Sequence, residues 1–305
     1  MSNQSIPLGL LDGHGSNAPV VDVADYTFFN PPQDLVVGNA VRHRSQVLPG
    51  NYLDSLLVNK GHETLVVGFH GALNQEKAKL PRFERLSTIL GYDVSCMFFG
   101  DPSLYVSEKL QLAWYTGWNS VDLQRVIASW AVNAAKAIGA RRIIFTGSSG
   151  GGFAALQISA LVPKSYAVVF NAQTDIAEYR INGEGYGAQR TYVQTLWPEI
   201  AANFQKPSDI ESGEWKDSIG ESASAIDRYS RETENYAFIY QNAEEFHFED
   251  HFLPFLAAAK RGNNISRIHL ETFLDGPIHA QPRAATFDLL FRESLQRIEA
   301  LPFTI

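Results

Sequence analysis

The sequence predicts an α/β fold with a mostly parallel central sheet, and two patterns predict it. Short, nearly continuous apolar runs end in Gly, Asn or Asp turns: "TLVVGFHG", "DVSCMFFGDP", "RRIIFTGS", "SYAVVFNAQ", "NYAFIYQN" and "RIHLETFLD". Runs that are apolar on both faces suit strands covered by helices on each side. Helical patterns separate several of these runs, and that alternation is the mark of parallel strands joined by crossovers. The expected site then lies at the carboxyl ends of the strands.

Taken in order, the first 60 residues read differently. "VVDVADYTFFNPP", "DLVVGNAVRH" and "YLDSLLVN" place Val, Tyr and Phe among polar residues between Pro, Gly and Asn breakers, the texture of short strands and turns. Residues 1–60 are therefore expected to form a β-rich extension packed on a core of residues 61–305. In "NSVDLQRVIASWAVNAAKAIGA" the apolar positions recur at helical spacing from Val121 to Ile138, with Gly139 as a stop. "GGFAALQISALV" is a short apolar helix, and "PRAATFDLLFRESLQRIEAL" is an amphipathic one near the end of the sequence. Between Ile176 and Glu234 the alternation is interrupted by polar sequence with short helical patches such as "TYVQTLWPEIAANF" and several glycines. Insertions of this length are usually functional loops, so residues 176–234 are expected to form a lid.

Composition narrows the function. The chain has 305 residues, 45% hydrophobic and 19% charged, with a formal net charge of −8 and basic residues spread along it. That balance argues against a nucleic-acid or anionic-membrane binder. The single cysteine, Cys96, excludes an internal disulfide framework or a multi-cysteine metal site, and its apolar setting "VSCMFF" predicts a buried thiol. The opening residues show no basic segment followed by an apolar one, and no apolar run is long enough to span a bilayer. These features set the expectation of a cytoplasmic protein. Nothing in the sequence specifies an oligomeric state.

Chemistry is concentrated in "IIFTGSSGGGFAAL". Gly147-Ser148-Ser149-Gly150-Gly151 fits G-x-S-x-G, the turn that lifts a nucleophilic serine between strand and helix. Gly150-Gly151-Gly152-Phe153-Ala154-Ala155 also fits a relaxed dinucleotide loop, with Asp175 as its acid. The acid of a dinucleotide site should end the next strand, but "AVVF" is followed by Asn171. No Lys-Ser or Lys-Thr follows the glycines, so a Walker A loop is excluded. The serine reading also expects partners, and they occur in the required chain order. His70-Gly71-Ala72 follows an upstream strand, where an oxyanion-hole N–H should arise, and His279 follows the last strand.

In this reading Ser149 is the nucleophile and His279 the general base, because a serine alcohol is protonated at neutral pH and needs one. Glu244, Glu245, Glu249 and Asp250 follow "NYAFIYQN". Glu245, about three residues past the strand, is the expected acid, with Asp175 as runner-up. The N–H groups of Gly150 and Ala72 form the oxyanion hole. His70, Trp114 and Tyr115, with Trp118 in the same stretch "LAWYTGWN", are candidate substrate-contacting residues. "HFEDH" places His247 and His251 at helical spacing beside Asp250, but without a marked third ligand. No metal and no cofactor is expected.

These ordered motifs resemble the α/β-hydrolase superfamily over roughly Thr64 to the end of the sequence. The resemblance implies the α/β-hydrolase fold, helices on both sheet faces, and a serine hydrolase acting on a carboxylic ester through an acyl-enzyme. Glu245 stands where that superfamily commonly has Asp. In addition, "DPSLYVSEKLQLAWYTG", "TGSSGGGFAAL" and "YQNAEEFHFEDHFLPF" look similar to hydrolase-like proteins of bacterial surface-polysaccharide and accessory-secretion loci. Some of those are implicated in O-acetylation of glycans. The resemblance thus implies a small-molecule ester or an acylated glycan as substrate. O-acyltransferase and noncatalytic partner of a biosynthetic or secretion complex stand as alternatives.

Overall fold

The computed structural model describes residues 5–31, 35–118, 121–181, 184–185 and 187–305. Ten strands form one sheet: β1 (Ile6–Pro7), β2 (Val20–Asp22), β3 (Asn39–Leu48), β4 (Asn51–Asn59), β5 (Thr64–Phe69), β6 (Ser95–Phe99), β7 (Arg142–Ser148), β8 (Tyr166–Phe170), β9 (Tyr236–Asn242) and β10 (Ile268–Phe273). Their order is β1-β3-β4-β6-β5-β7-β8-β9-β10, with β2 beside β3. From β6 to β10 every pairing is parallel, while β4 is antiparallel to both β3 and β6. The six apolar runs of the sequence become the six parallel strands. Residues 39–59, within the β-rich first 60, are hydrogen-bonded into the same sheet: Ser55 pairs with Phe99 and Val58 with Cys96.

Helices cover both faces. On one side lie α1 (Leu123–Ile138), α2 (Gly150–Ser159), α3 (Gly187–Leu196) and α4 (Leu253–Arg261), and on the other α5 (Ala284–Glu299). Buried Trp130, Ile127, Phe153 and Tyr192 belong to the first layer, and Phe287, Leu290 and Phe291 to the second. Helix α1 begins at Leu123 rather than Val121 because the Asp122 carboxylate caps it, accepting from the Arg125 N–H at 3.1 Å. Such a cap is worth about 1 kcal/mol. Cys96 is fully buried in β6, and burial pushes its thiol up to about 12. Among the described residues no helix is long and apolar enough to cross a membrane.

Strand register brings the functional loops to one edge. Phe69 at the end of β5 pairs with Gly147, Ser148 pairs with Phe170 at the end of β8, and Phe170 pairs with Tyr240 of β9. The residues that leave these strands, His70, Ser149, Asn171 and the Glu245 loop, therefore emerge together.

The insertion is clasped at its base. Asp175 bridges Ser224, the Ile176 N–H donates to the Ala223 carbonyl at 3.0 Å, and the Ala225 N–H donates to that of Thr174 at 2.8 Å. Helix α3 buries Gln189, Tyr192, Val193 and Leu196, and the Gln189 amide donates to the carbonyls of Ile176, Ala177 and Tyr179. Residues 182–183 and 186 of the expected lid, one of its glycines (Gly183) among them, lie outside the described residues.

Candidate active site

The turn after β7 explains its glycines by space. A Cβ on Gly147 would stand 2.4 Å from the Gly151 carbonyl, and one on Gly151 would stand 2.6 Å from the Phe69 oxygen. Neither contact is physically possible without moving backbone. Ser149 itself sits at φ 55°, ψ −122°, a region that costs a non-glycine residue about 1–3 kcal/mol. Its N–H donates to the Phe170 carbonyl at 3.1 Å, and its half-buried side chain stands at the mouth of α2.

Three side chains from three separate loops meet there. His279 Nε2 lies 2.9 Å from Ser149 Oγ, and His279 Nδ1 lies 2.7 Å from Glu245 Oε2. A carboxylate facing Nδ1 puts the ring proton there and leaves Nε2 as an acceptor toward the serine. Glu245 is buried, and its other oxygen accepts from Gln241 Nε2 at 2.9 Å. Burial opposes ionisation of Glu245, but hydrogen bonds from His247 and His279 hold its carboxyl below the usual range.

The loops are tied to each other. Asn171 accepts from the Asn242 N–H at 2.8 Å and donates to the Ala280 carbonyl at 3.0 Å. Asn242 donates to the Gly276 carbonyl at 2.7 Å, and Glu244 accepts from the Gly276 N–H at 2.6 Å. The acid loop thereby braces the histidine loop.

Beside the serine, the N–H of Gly150 is the first of α2 and belongs to the donors a helix leaves free. Gly71 packs against it: a Cβ there would stand 3.8 Å from Ser149 Cβ and 4.0 Å from the Gly150 nitrogen. Ala72 follows, is exposed, and its N–H has no hydrogen-bond partner among the described residues. Behind the pair lies His70, whose Nε2 accepts from the Asp101 N–H at 3.2 Å, so Nδ1 carries the proton and donates to the Gly71 carbonyl at 2.8 Å. Burial pushes the His70 pKa down and keeps the ring neutral.

His70, Trp114 and Tyr115 do not line open space as the sequence reading expected. All three are buried, at 0–2% exposure, and their polar atoms are bound by protein. The Tyr115 hydroxyl accepts from the His70 N–H at 3.1 Å and donates to the Phe99 carbonyl at 3.0 Å. Trp114 and Tyr115 both adopt left-handed backbone, at φ 53° and 55°, which sends one side chain to Gln173 and the other to His70. Trp118 is also buried, and Asn119 of the same stretch lies outside the described residues.

Asp175 is engaged elsewhere. Its carboxylate accepts from Ser224 Oγ at 2.7 Å, Lys216 Nζ at 3.0 Å and the Ala177 N–H at 3.0 Å, at the base of the insertion. His247 and His251 are buried with ring centroids 4.7 Å apart, and each has an Nε2 with no hydrogen-bond partner among the described residues. The ligand atoms of Glu245, His247 and His279 lie within 4.8 Å of one another, but the Glu245 and His279 atoms are already bonded together. Sequence reasoning missed Gln173, which sits in "NAQTD" with no motif around it; its Nε2 lies 3.2 Å from Ser149 Oγ.

No family model matches the sequence, and no curated protein matches it. Solved structures do match the fold. The Glycosylation Associate Protein (Gap123) complex from Streptococcus agalactiae aligns with a TM-score of 0.56 at 11% identity, over 85% of this chain and 46% of that one. An acylaminoacyl peptidase from Pyrococcus horikoshii aligns at 0.53 and 15% identity, over 86% and 42%. Carboxyl esterase 2 from the fungus Tuber melanosporum aligns at 0.52 and 14% identity, over 87% and 84%. The chain spans less than half the length of the first two. With the strand order above, these likenesses show the fold: the chain has the α/β-hydrolase fold, as the peptidase and the esterase do.

Proposed function

We propose that this protein is a serine hydrolase-type enzyme that cleaves a carboxylic ester through an acyl-enzyme on Ser149. Carrying the proposal is the continuous chain from Glu245 Oε2 through His279 to Ser149 Oγ, with links of 2.7 and 2.9 Å. His279 Nε2 takes the Ser149 proton as Oγ attacks the ester carbonyl, and Glu245 holds the imidazole in the tautomer that can do so. The Gly150 and Ala72 N–H groups receive the developing oxyanion. His279 returns the proton to the departing alcohol, and an acceptor then repeats the sequence on the acyl-enzyme. The steps use side chains and backbone amides and call for no metal or nucleotide.

The acceptor decides between an esterase, with water, and an O-acyltransferase, with a glycan or other hydroxyl. Both share the Ser149 half-reaction, and product analysis with and without added alcohols assigns the acceptor. Residues 176–234 act in this scheme as a cover over the acyl side. The support is that their stems are clasped at the carboxyl edge of the sheet and that α3 reaches Trp114, with Tyr192 and Trp114 ring centroids 5.2 Å apart. The test of the core proposal is turnover of a short-chain p-nitrophenyl ester. Ser149→Ala should abolish it without lowering the melting temperature; retained turnover in that variant would overturn the assignment.

A further inference from the structure

Ser149 Oγ has a second neighbour that the His279–Glu245 chain does not explain. Gln173 is fully buried, and its Nε2 stands 3.2 Å from Ser149 Oγ. The direction of this amide follows from its other partner. Trp114 Nε1 hydrogen-bonds to Gln173 Oε1, and an indole nitrogen only donates. The amide oxygen must therefore face Trp114, which leaves the NH2 group facing Ser149. The main chain secures the same residue, since the Gln173 N–H donates to the Ser149 carbonyl at 3.2 Å. Trp114 in turn is held by its left-handed backbone and by Tyr179 and Tyr192 packed edge-on to its ring.

We infer that Gln173 is a further catalytic residue: its side-chain N–H donates to Ser149 Oγ and stabilises that oxygen when it carries negative charge. The inference rests on Ser149 being the nucleophile. With one Oγ lone pair occupied by Gln173, the serine proton is directed to His279 Nε2 and the other lone pair to the substrate. In acylation the Ser149 O–H bond breaks and its proton goes to His279. The Oγ electron pair forms the bond to the carbonyl carbon, and the carbonyl π pair moves onto the oxygen held by Gly150 and Ala72. In deacylation the carbon–Oγ bond breaks, the pair returns to Oγ, and His279 gives the proton back. Gln173 exchanges no proton in either direction. Its hydrogen bond is strongest whenever Oγ is most alkoxide-like, because bonds to charged acceptors exceed those to neutral ones.

Labelling by a small fluorophosphonate, together with steady-state ester kinetics, tests this on the full chain. Gln173→Met keeps the side-chain length and loses the donor. Gln173→Glu, assayed across a pH range that ionises it, keeps an acceptor for Trp114 and then presents a carboxylate oxygen, not a donor, to Ser149. Both should slow Ser149 labelling and kcat by about 10- to 100-fold, the range for a hydrogen bond to a charged partner, with KM changed much less. Trp114→Phe, which spares the donor, should cost less than either. A merely structural role through Trp114 predicts the reverse: near-normal Gln173→Glu and a Trp114→Phe defect as large as that of Gln173→Met. That pattern, or labelling of either Gln173 variant within about twofold of wild type, would overturn the inference, and Gln173→Glu decides it even if Gln173→Met fails to fold. Wild-type protein that is not labelled at Ser149 would instead bring down the nucleophile assignment, and this inference with it.

Discussion

His70 offers a demanding test of how the proposed oxyanion site is aimed. The carbonyl of Gly71 and the N–H of Ala72 belong to one planar peptide and point in opposite directions. By holding that carbonyl at 2.8 Å, His70 fixes the plane of this peptide and with it the direction of the Ala72 N–H, next to Gly71, which packs against Ser149. His70→Phe keeps the ring and removes both nitrogens. Two costs follow. The buried Asp101 N–H loses its 3.2 Å acceptor, which should lower stability by about 1–3 kcal/mol. The Gly71–Ala72 peptide is no longer fixed. Deleting an oxyanion donor outright costs about 100- to 1000-fold in kcat, and a peptide freed to rotate keeps part of that, so a loss of about 10- to 100-fold is expected. Thermal melting and kcat against KM on a short-chain ester separate the two costs. A folded His70→Phe enzyme with wild-type kcat would refute the argument that His70 sets the oxyanion peptide.

Glu245→Gln should cost about 10³- to 10⁴-fold in kcat, because an amide no longer holds His279 in the required tautomer; a loss below tenfold would move the acid elsewhere. Asp175→Asn should leave ester turnover within about threefold while lowering the melting temperature, since its carboxylate clasps Ser224, Lys216 and Ala177 at the base of the insertion. Acid should destabilise the fold partly through His43, which burial against Phe29 pushes down to about 4 from 6.5. Above pH 6.5 both states are neutral; as pH falls toward 4 the unfolded chain takes up the proton first, removing about 3 kcal/mol of stability. His43→Phe should flatten that part of the pH–stability curve measured by urea unfolding, and an unchanged curve would show that His43 does not carry it.

The parallel strands and the serine turn were legible because their signals are local. Six apolar runs, glycines around Ser149, and single residues past strand ends each lie within a few positions of sequence. Ser149, Glu245 and His279 lie in three such stretches, and His279 stands within hydrogen-bond reach of both the others. What the sequence hid is set by tertiary contact. Tyr115 and His70 are aromatic side chains near a site, and only the fold reveals that they are buried and bonded to each other. Asn39–Leu48 and Asn51–Asn59 join the main sheet through antiparallel pairing, which leaves no crossover pattern to read. Gln173 has no motif at all; its role follows from a tryptophan 59 positions earlier that fixes its amide.

The most direct test of the central claim is mass mapping of the protein after reaction with a small fluorophosphonate. A nucleophilic Ser149 activated by His279 predicts one adduct per chain, on Ser149 rather than on buried Ser148, and none in Ser149→Ala or His279→Ala over the same time. An adduct on another residue, or equal labelling of Ser149→Ala, would contradict it.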